Sequence, residues 1–298
     1  MLASALMLSG ALMTASPDSV SIPDAAEGSV RMAEPYTPPP APLLSSRQSS
    51  HRGIPSRVGR AVVNFGSDTW YVVSSPARLN RSSALQAAAV LGATAVLYQY
   101  DQDIWDAAQR NSDDQTFQAV KNVGGAVEPL GFMPHAFIAE GATWVVGEAT
   151  GIEPLKVIPV QLAESHLIAG GIRNVLKLAV GRKHPFEDQG SQAFGGGSSF
   201  PSGHTSVVFE IATVVSAHAH SVPVTAMLYS LATAAAVQRV QTGAHWSSDV
   251  LLPAVTGTAI AATVVRRNSE REVRDAARWQ PEFGVVNGET QFALTRRF

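Results

Sequence analysis

Three short islands of polar residues hold most of the chemistry that this chain can offer. Lys177, with Arg182, Lys183 and His184 just before Pro185, forms the first; Pro201-Ser202-Gly203-His204 forms the second; Arg239, His245 and Asp249 form the third. The sequence around them is small and apolar. Gathering so many cationic and imidazole groups away from water is costly unless an anion compensates them, and we read that anion as phosphate.

Each island also has an ordinary reading on its own. In the third, Arg239 precedes His245 by six residues and Asp249 follows it by four, which on a helix sets the carboxylate one turn beyond the imidazole. An Asp there can accept one ring N–H, fix the tautomer and leave the other nitrogen as a nucleophile or base. The same spacing taken alone is a helix-surface hydrogen bond. The second island follows Gly195-Gly196-Gly197 and reads as a loop that turns at Pro-Ser-Gly into a helix. Backbone N–H groups at that helix start, the Ser202 hydroxyl and the close approach that Gly203 allows would cradle an anion, with His204 pointing into it. A turn or capping histidine gives the same tetrapeptide. The basic residues of the first island, near a helix C-terminus, would favour the helix dipole. None of these local readings explains all three islands in this order.

Lys177 with six intervening residues before His184-Pro185, then Pro201-Ser202-Gly203-His204, then Arg239, His245 and Asp249 resemble the tripartite signature of the type 2 phosphatidic acid phosphatase and vanadium haloperoxidase superfamily. The likeness covers about 73 residues, and the remaining helices fit a six-helix core loosely. It implies that His245 attacks phosphorus and becomes a phosphohistidine, oriented by Asp249, while His204 protonates the leaving oxygen. Lys177, Arg239, Ser202 and the Gly203 amide would neutralise the phosphoryl oxygens, with His184 a further contributor. No metal and no cofactor are required. The substrate would be a phosphorylated molecule, a lipid phosphate among the candidates. Two other readings stay open: a vanadate-dependent haloperoxidase, in which His245 coordinates vanadate, and a non-catalytic anion-binding relative.

The chain departs from the pattern twice. His184 stands where the family has Arg, and Gln238 stands where the residue before Arg239 is usually Ser. The first exchange replaces a fixed bidentate guanidinium by a group whose charge depends on pH. Arg182 and Lys183 are the candidates to supply the missing charge.

Composition bounds the rest. A chain of 298 residues with 45% hydrophobic content can bury a substantial core, and a net charge of -2 gives no case for nucleic-acid binding. The absence of Cys excludes disulfides, a thiol nucleophile and a thiolate zinc site. Residues 1–15 are free of charge and read as an export signal without its basic start. Residues 16–55 are rich in Pro and Ser and read as a disordered linker. A helical domain is expected over 56–278 and a β-hairpin over 279–298, turning at Asn287-Gly288.

The fold class expected is mainly α, a helical bundle. Apolar runs in 58–73 fit a short helix or strand, and Ser82 or Ser83 caps an Ala-rich helix to about Tyr100. Asp101, Asp103 and Asp106 lack the Gly and distal Glu of a calcium loop and read as a solvated helix start. Further helices are expected at 113–122, 130–149, 155–180, 203–219, 222–239, 243–265 and 266–278. His135 and His166 read as core or boundary residues, with His166 upstream of Lys177 on one helix; His218 and His220 read as a solvated helix end. Ser82–Tyr100 and Ile211–Gln238 are uncharged and long enough to span a bilayer, but Glu140, Glu164 and Glu210 interrupt other apolar stretches. With a mean hydropathy of +0.07, the expectation is an exported soluble or peripherally membrane-attached domain, with a multi-span protein as the alternative.

Overall fold

The computed structural model describes residues 54–277, 279–286 and 289–296, so the expected export signal and nearly all of the linker lie outside the described residues. Eight α-helices occur among the described residues: α1 (Ile54–Val73), α2 (Arg81–Arg110), α3 (Gln115–Gly131), α4 (Met133–Thr150), α5 (Glu153–Val180), α6 (Gly203–Ala219), α7 (Val222–Gln241) and α8 (Ser247–Ala277). The chain is mainly helical. The backbone of β1 (Trp279–Val286) pairs antiparallel with that of β2 (Glu289–Arg296), and the Asn287-Gly288 turn lies outside the described residues.

Local sequence sets the helix ends. The Asn80 side chain accepts from the Ser83 N–H while the Ser83 hydroxyl faces the Asn80 N–H, a reciprocal cap that starts α2. Asp114 caps α3 through the Phe117 N–H, and Ser202 caps α6 through the Thr205 N–H. Gly181, at φ 52° and ψ 44°, takes the left-handed conformation that stops α5 and releases the chain into the first island.

The bundle is built around α6, which packs on α3, α4, α5, α7 and α8. Val208 and Ala212 of α6 meet Ala232 and Ala235 of α7; Val214 meets Leu162 of α5 and Ala261 of α8. Ile168 and Ala169 of α5 close on Ile260 and Val264 of α8, with Phe65 and Val72 of α1 against them. Small side chains let the helices approach closely, so each island at a helix end is fixed by several packed neighbours.

Several expectations are corrected. α2 runs through Asp101 to Arg110 instead of ending near Tyr100, and of the two readings of 58–73 the helix is the one observed. Asp101 is no solvated helix start: it is 1% exposed and bonded to groups far away in sequence. The expected break at 265–266 is absent because α8 continues to Ala277. There Arg267 and Arg271 both reach the buried Asp68 of α1, so the charged run is a helix-helix seam. His135 is exposed on α4.

Candidate active site

The loop between α5 and α6 doubles back on itself. The Gly197 N–H donates to Gly181 O at 3.0 Å and the Ser199 N–H to Arg182 O at 2.9 Å, bringing the end of the first island beside the start of the second. The Ser202 N–H then donates to Asp249 O at 2.9 Å, tying both to the third. Lys177, one turn before the end of α5, donates from Nζ to Ser198 O. The C-terminal end of α5, the loop and the N-termini of α6 and α8 thus converge on one place.

His245 precedes α8 rather than riding on it, and its N–H donates to Arg239 O at 3.1 Å. Its Nδ1 lies 3.8 Å from Asp249 Oδ2, too far for a direct hydrogen bond. Ser199 fills the gap: its Oγ is 3.5 Å from His245 Nδ1 and donates to Asp249 Oδ2. The Trp246 N–H also donates to Oδ2, at 2.9 Å. Burial lowers the pKa of His245 against the opposing pull of Asp249, and the charges of Arg239 and Lys177 act in the same sense as burial. The imidazole is therefore held neutral, with Nδ1 turned to the carboxylate and Nε2 turned away from it.

Asp249 is fixed from its other side by Arg182. This guanidinium is fully buried; Nη1 donates to Asp249 Oδ1 at 2.7 Å and to Ser248 Oγ at 2.6 Å, and Nη2 donates to Asp101 Oδ2 at 2.6 Å. Asp101 in turn accepts from the Ser248 N–H at 3.0 Å and from the hydroxyls of Ser247 and Ser248, each at 2.5 Å. Arg182 is thus committed to the support of Asp249, and Lys183 pairs with Glu187 at 3.2 Å. Neither supplies the charge absent at position 184. His184 itself stands at the site: Nδ1 donates to Ala244 O at 2.6 Å, Nε2 is 3.4 Å from Ser198 Oγ, and its ring centroid is 5.3 Å from that of His245.

His204 opens α6 beside α3. A Cβ built on Gly131 would stand 3.0 Å from both the Cβ and the carbonyl oxygen of His204, so a side chain there would push the end of α3 a few tenths of an ångström away from it. His204 Nε2 lies 3.2 Å from Glu128 Oε1, which also accepts from Arg239 Nη1 at 2.9 Å. Burial lowers the His204 pKa to about 4, with Arg239, His245, Arg173 and Lys177 adding to the effect. Ser202 is fully buried; its Oγ accepts from the Thr205 N–H at 3.3 Å and the Thr205 hydroxyl at 3.0 Å, leaving its own O–H to donate.

Residues 159–272, which carry all three islands, match the model of the PAP2 superfamily. That segment belongs to the PAP2 superfamily. No curated protein matches the chain. Among the solved structures that resemble it are the first transmembrane PAP2 type phosphatidylglycerolphosphate phosphatase from Bacillus subtilis, at 19% identity over 60% of this chain and 96% of that one with a TM-score of 0.31, and Aquifex aeolicus LpxE, at 20% identity over 50% and 93% with a TM-score of 0.30. At such scores neither likeness bears on the chemistry of this chain.

The PAP2 segment holds all eight residues singled out from the sequence as site residues: Lys177, His184, Ser202, Gly203, His204, Arg239, His245 and Asp249. The charges of Lys177 and Arg239 both bear on His204. Sequence reasoning missed Asp101, Glu128 and Ser199. The signal for Asp101 was weak but present: Asp103 and Asp106 lie well round the helix from it and are exposed, while Asp101 faces inward. Glu128 and Ser199 carry no spacing that would have marked them.

Proposed function

We propose that this chain is a metal-independent phosphatase that hydrolyses phosphate monoesters or lipid (di)phosphates through a phosphohistidine on His245, at or outside the cytoplasmic membrane. The observation that carries this reading is the meeting of the three islands: Lys177 reaches Ser198 O beside the second island, the Ser202 N–H holds Asp249 O, His204 and Arg239 share Glu128, and His245 is braced by Ser199 and Asp249.

In the first step His245 Nε2 attacks phosphorus, the bond from phosphorus to the leaving oxygen breaks, and His204 gives that oxygen its proton. In the second, water attacks phosphorus, its proton passes to His204, the P–N bond breaks and phosphate leaves. Lys177, Arg239, the Ser202 O–H and the Gly203 N–H offset the charge on the equatorial oxygens. His204 must be protonated for the first step, whereas without substrate its pKa is about 4. A phosphate dianion among the same cations reverses the local field and raises it, so binding of the ester loads the acid. His184 adds charge only when protonated.

Apolar side chains support the lipid part of the reading. Phe186 is exposed and stacks on His184, and Phe132, also exposed, stacks on His204, which gives the site an apolar rim. Leu85, Leu91 and Val96 on α2, Ile138 and Val145 on α4, and Leu178 on α5 are exposed as well, and favour contact with a membrane. By length and composition, the α8 stretch Ser247–Asp275 could cross a membrane.

The test is phosphate release from phosphatidic acid, undecaprenyl diphosphate and a soluble aryl phosphate, in EDTA, from acid to neutral pH. Release that persists in EDTA and disappears in His245→Ala is expected, with a labelled phosphoryl enzyme that survives alkali and is lost in acid. Release that needs a divalent ion, or continues in His245→Ala, overturns the mechanism. No release at any pH overturns the phosphatase reading, and halide oxidation with vanadate would then identify the haloperoxidase. Flotation with liposomes tests membrane attachment.

A further inference from the structure

With Arg182 and Lys183 engaged elsewhere, the site lacks a guanidinium at position 184, yet another stands close by. Arg173 precedes Lys177 by one turn of α5 and so shares its face. It is 7% exposed and lies beneath the second island, where a Cβ built on Gly203 would stand 3.8 Å from Arg173 Nε. Its Nη1 is buried and has no hydrogen-bond partner.

The carboxylate beside it does not satisfy that donor. Arg173 Nη1 is 3.6 Å from Glu210 Oε1, beyond hydrogen-bond reach. Glu210 is already occupied: Oε1 accepts from the Ser206 hydroxyl, and Oε2 lies 2.5 Å from His166 Nδ1. His166 is fully buried, with Nε2 2.9 Å from Glu140 Oε1 on its other side. Glu140, His166 and Glu210 thus form a buried chain of charge that ends at Arg173. It balances the guanidinium without filling its donor positions. A buried guanidinium has only donors and is costly to leave without an acceptor.

We propose that Arg173 is a phosphate-binding residue of this site, reaching the anion from behind Gly203 and supplying the guanidinium that the first island lacks. Glu210 is then its positioning residue, held in turn by His166 and Ser206. The charge of Arg173 also opposes protonation of both His204 and Lys177, which places it within the field of the same cradle. This assignment rests on the phosphatase reading, because it takes the anion to be a phosphoryl group.

The experiment measures the inhibition constants of inorganic phosphate and orthovanadate against aryl phosphate hydrolysis, with Tm alongside. The variants are Arg173→Met, Arg173→Lys, and each combined with His184→Arg. Loss of a charge-assisted hydrogen bond predicts constants raised roughly tenfold to a hundredfold in Arg173→Met. In the double variant the new guanidinium at 184 recovers most of that loss. A residue that only neutralised Glu210 would not be rescued from position 184, so a loss without rescue overturns the assignment. If Arg173→Met does not fold, Arg173→Lys decides: it keeps the charge facing Glu210, and the expected result is a severalfold rise in both constants with Tm held. Wild-type turnover with unchanged constants in the folded variants overturns the role of Arg173 alone. A wild-type protein that neither turns over the ester nor binds phosphate by calorimetry overturns the phosphatase reading beneath it.

Discussion

Replacing Arg182 by Met removes one cation from between two buried carboxylates. Arg182, Asp101 and Asp249 are all fully buried as side chains, and the guanidinium bonds the two acids at 2.6 Å and 2.7 Å. Removing one member of a buried ion pair costs about 3–5 kcal/mol, because the partner charge is left uncompensated. Here two partners are stranded, but Asp101 keeps its bonds from Ser247 and Ser248, and Asp249 keeps those from Trp246 and Ser199. These offset part of the second loss, so the total stays at about 3–5 kcal/mol. For a domain of this size, about 2–4 °C per kcal/mol gives a fall in Tm of roughly 6–20 °C. Lys183→Met is the control. Lys183 and Glu187 are 25% and 24% exposed, and a pair so open to water contributes little to stability. Two adjacent cations of one motif should therefore respond very differently. The loss also depends on pH. In the wild type the Asp249 pKa is lowered, against burial, by His245, Arg182 and Ser199, so its contribution is present above the unfolded pKa and lost as pH falls. In Arg182→Met the cation that opposes burial at Asp249 is gone, and a stranded acid harms the fold only when charged. The Tm gap between wild type and variant should thus narrow from about pH 7.5 to about pH 4.5. Thermal unfolding followed by circular dichroism measures both effects. A fall no larger than that of Lys183→Met, or a gap that does not change with pH, would refute the reasoning.

Other outcomes rest on the same geometry. Burial opposes the charged form of His166, but Glu140 and Glu210 outweigh it and raise its pKa to about 9. This stabilisation, roughly 3 kcal/mol, is complete below the unfolded value near 6.5 and lost as pH rises through about 9. The Tm of His166→Gln should therefore be flatter across that alkaline window, and parallel curves would contradict the assignment. Glu128→Gln removes a carboxylate that competes with substrate for Arg239 and His204. The inhibition constant of inorganic phosphate should fall by roughly 1.5- to 5-fold, the worth of a partly exposed ion pair, whereas a rise would mean that Glu128 positions the two cations. His184→Arg should raise hydrolysis most at and above neutral pH, since a guanidinium keeps its charge there; an unaltered pH-rate profile would remove His184 from the cradle.

The islands were legible because their content is local: the types of Lys177, Pro201-Ser202-Gly203-His204, and Arg239, His245 and Asp249 at fixed spacing need no knowledge of the fold. What each neighbouring residue does was not legible. Arg182 and Lys183 look alike in the chain. One is sealed between Asp101, 81 positions away, and Asp249, while the other pairs on the surface with Glu187. Helix periodicity found the bundle and the ends of α6 within a residue, because Ser202 and the Pro-Ser-Gly turn announce a start. It failed at Asp101 and at Arg266-Arg267, where charge in an apolar run was read as an exposed boundary. At both places a distant group of opposite charge allows burial or a seam, and such a group leaves no mark in a local window. The spacing of His245 and Asp249 was read as a direct contact along one helix; instead the imidazole lies ahead of α8, and Ser199 supplies the link that a shared helical turn was expected to give.

The clamp on Arg182 separates two units that are easily taken for one. Residues 159–272 contain every member of the three islands, yet Asp101 comes from α2, and Glu128 and Gly131 come from α3. A fragment cut to the matched bounds would keep the reagents and lose their counter-charges, including one of the two acids that make it tolerable to bury Arg182. Grafting the three islands onto another helical bundle would meet the same obstacle. The recognisable stretch begins at residue 159, whereas the network of buried charge that supports its residues begins at least 58 residues earlier, at Asp101. Any attempt to trim, circularly permute or fuse this scaffold must respect the second boundary rather than the first.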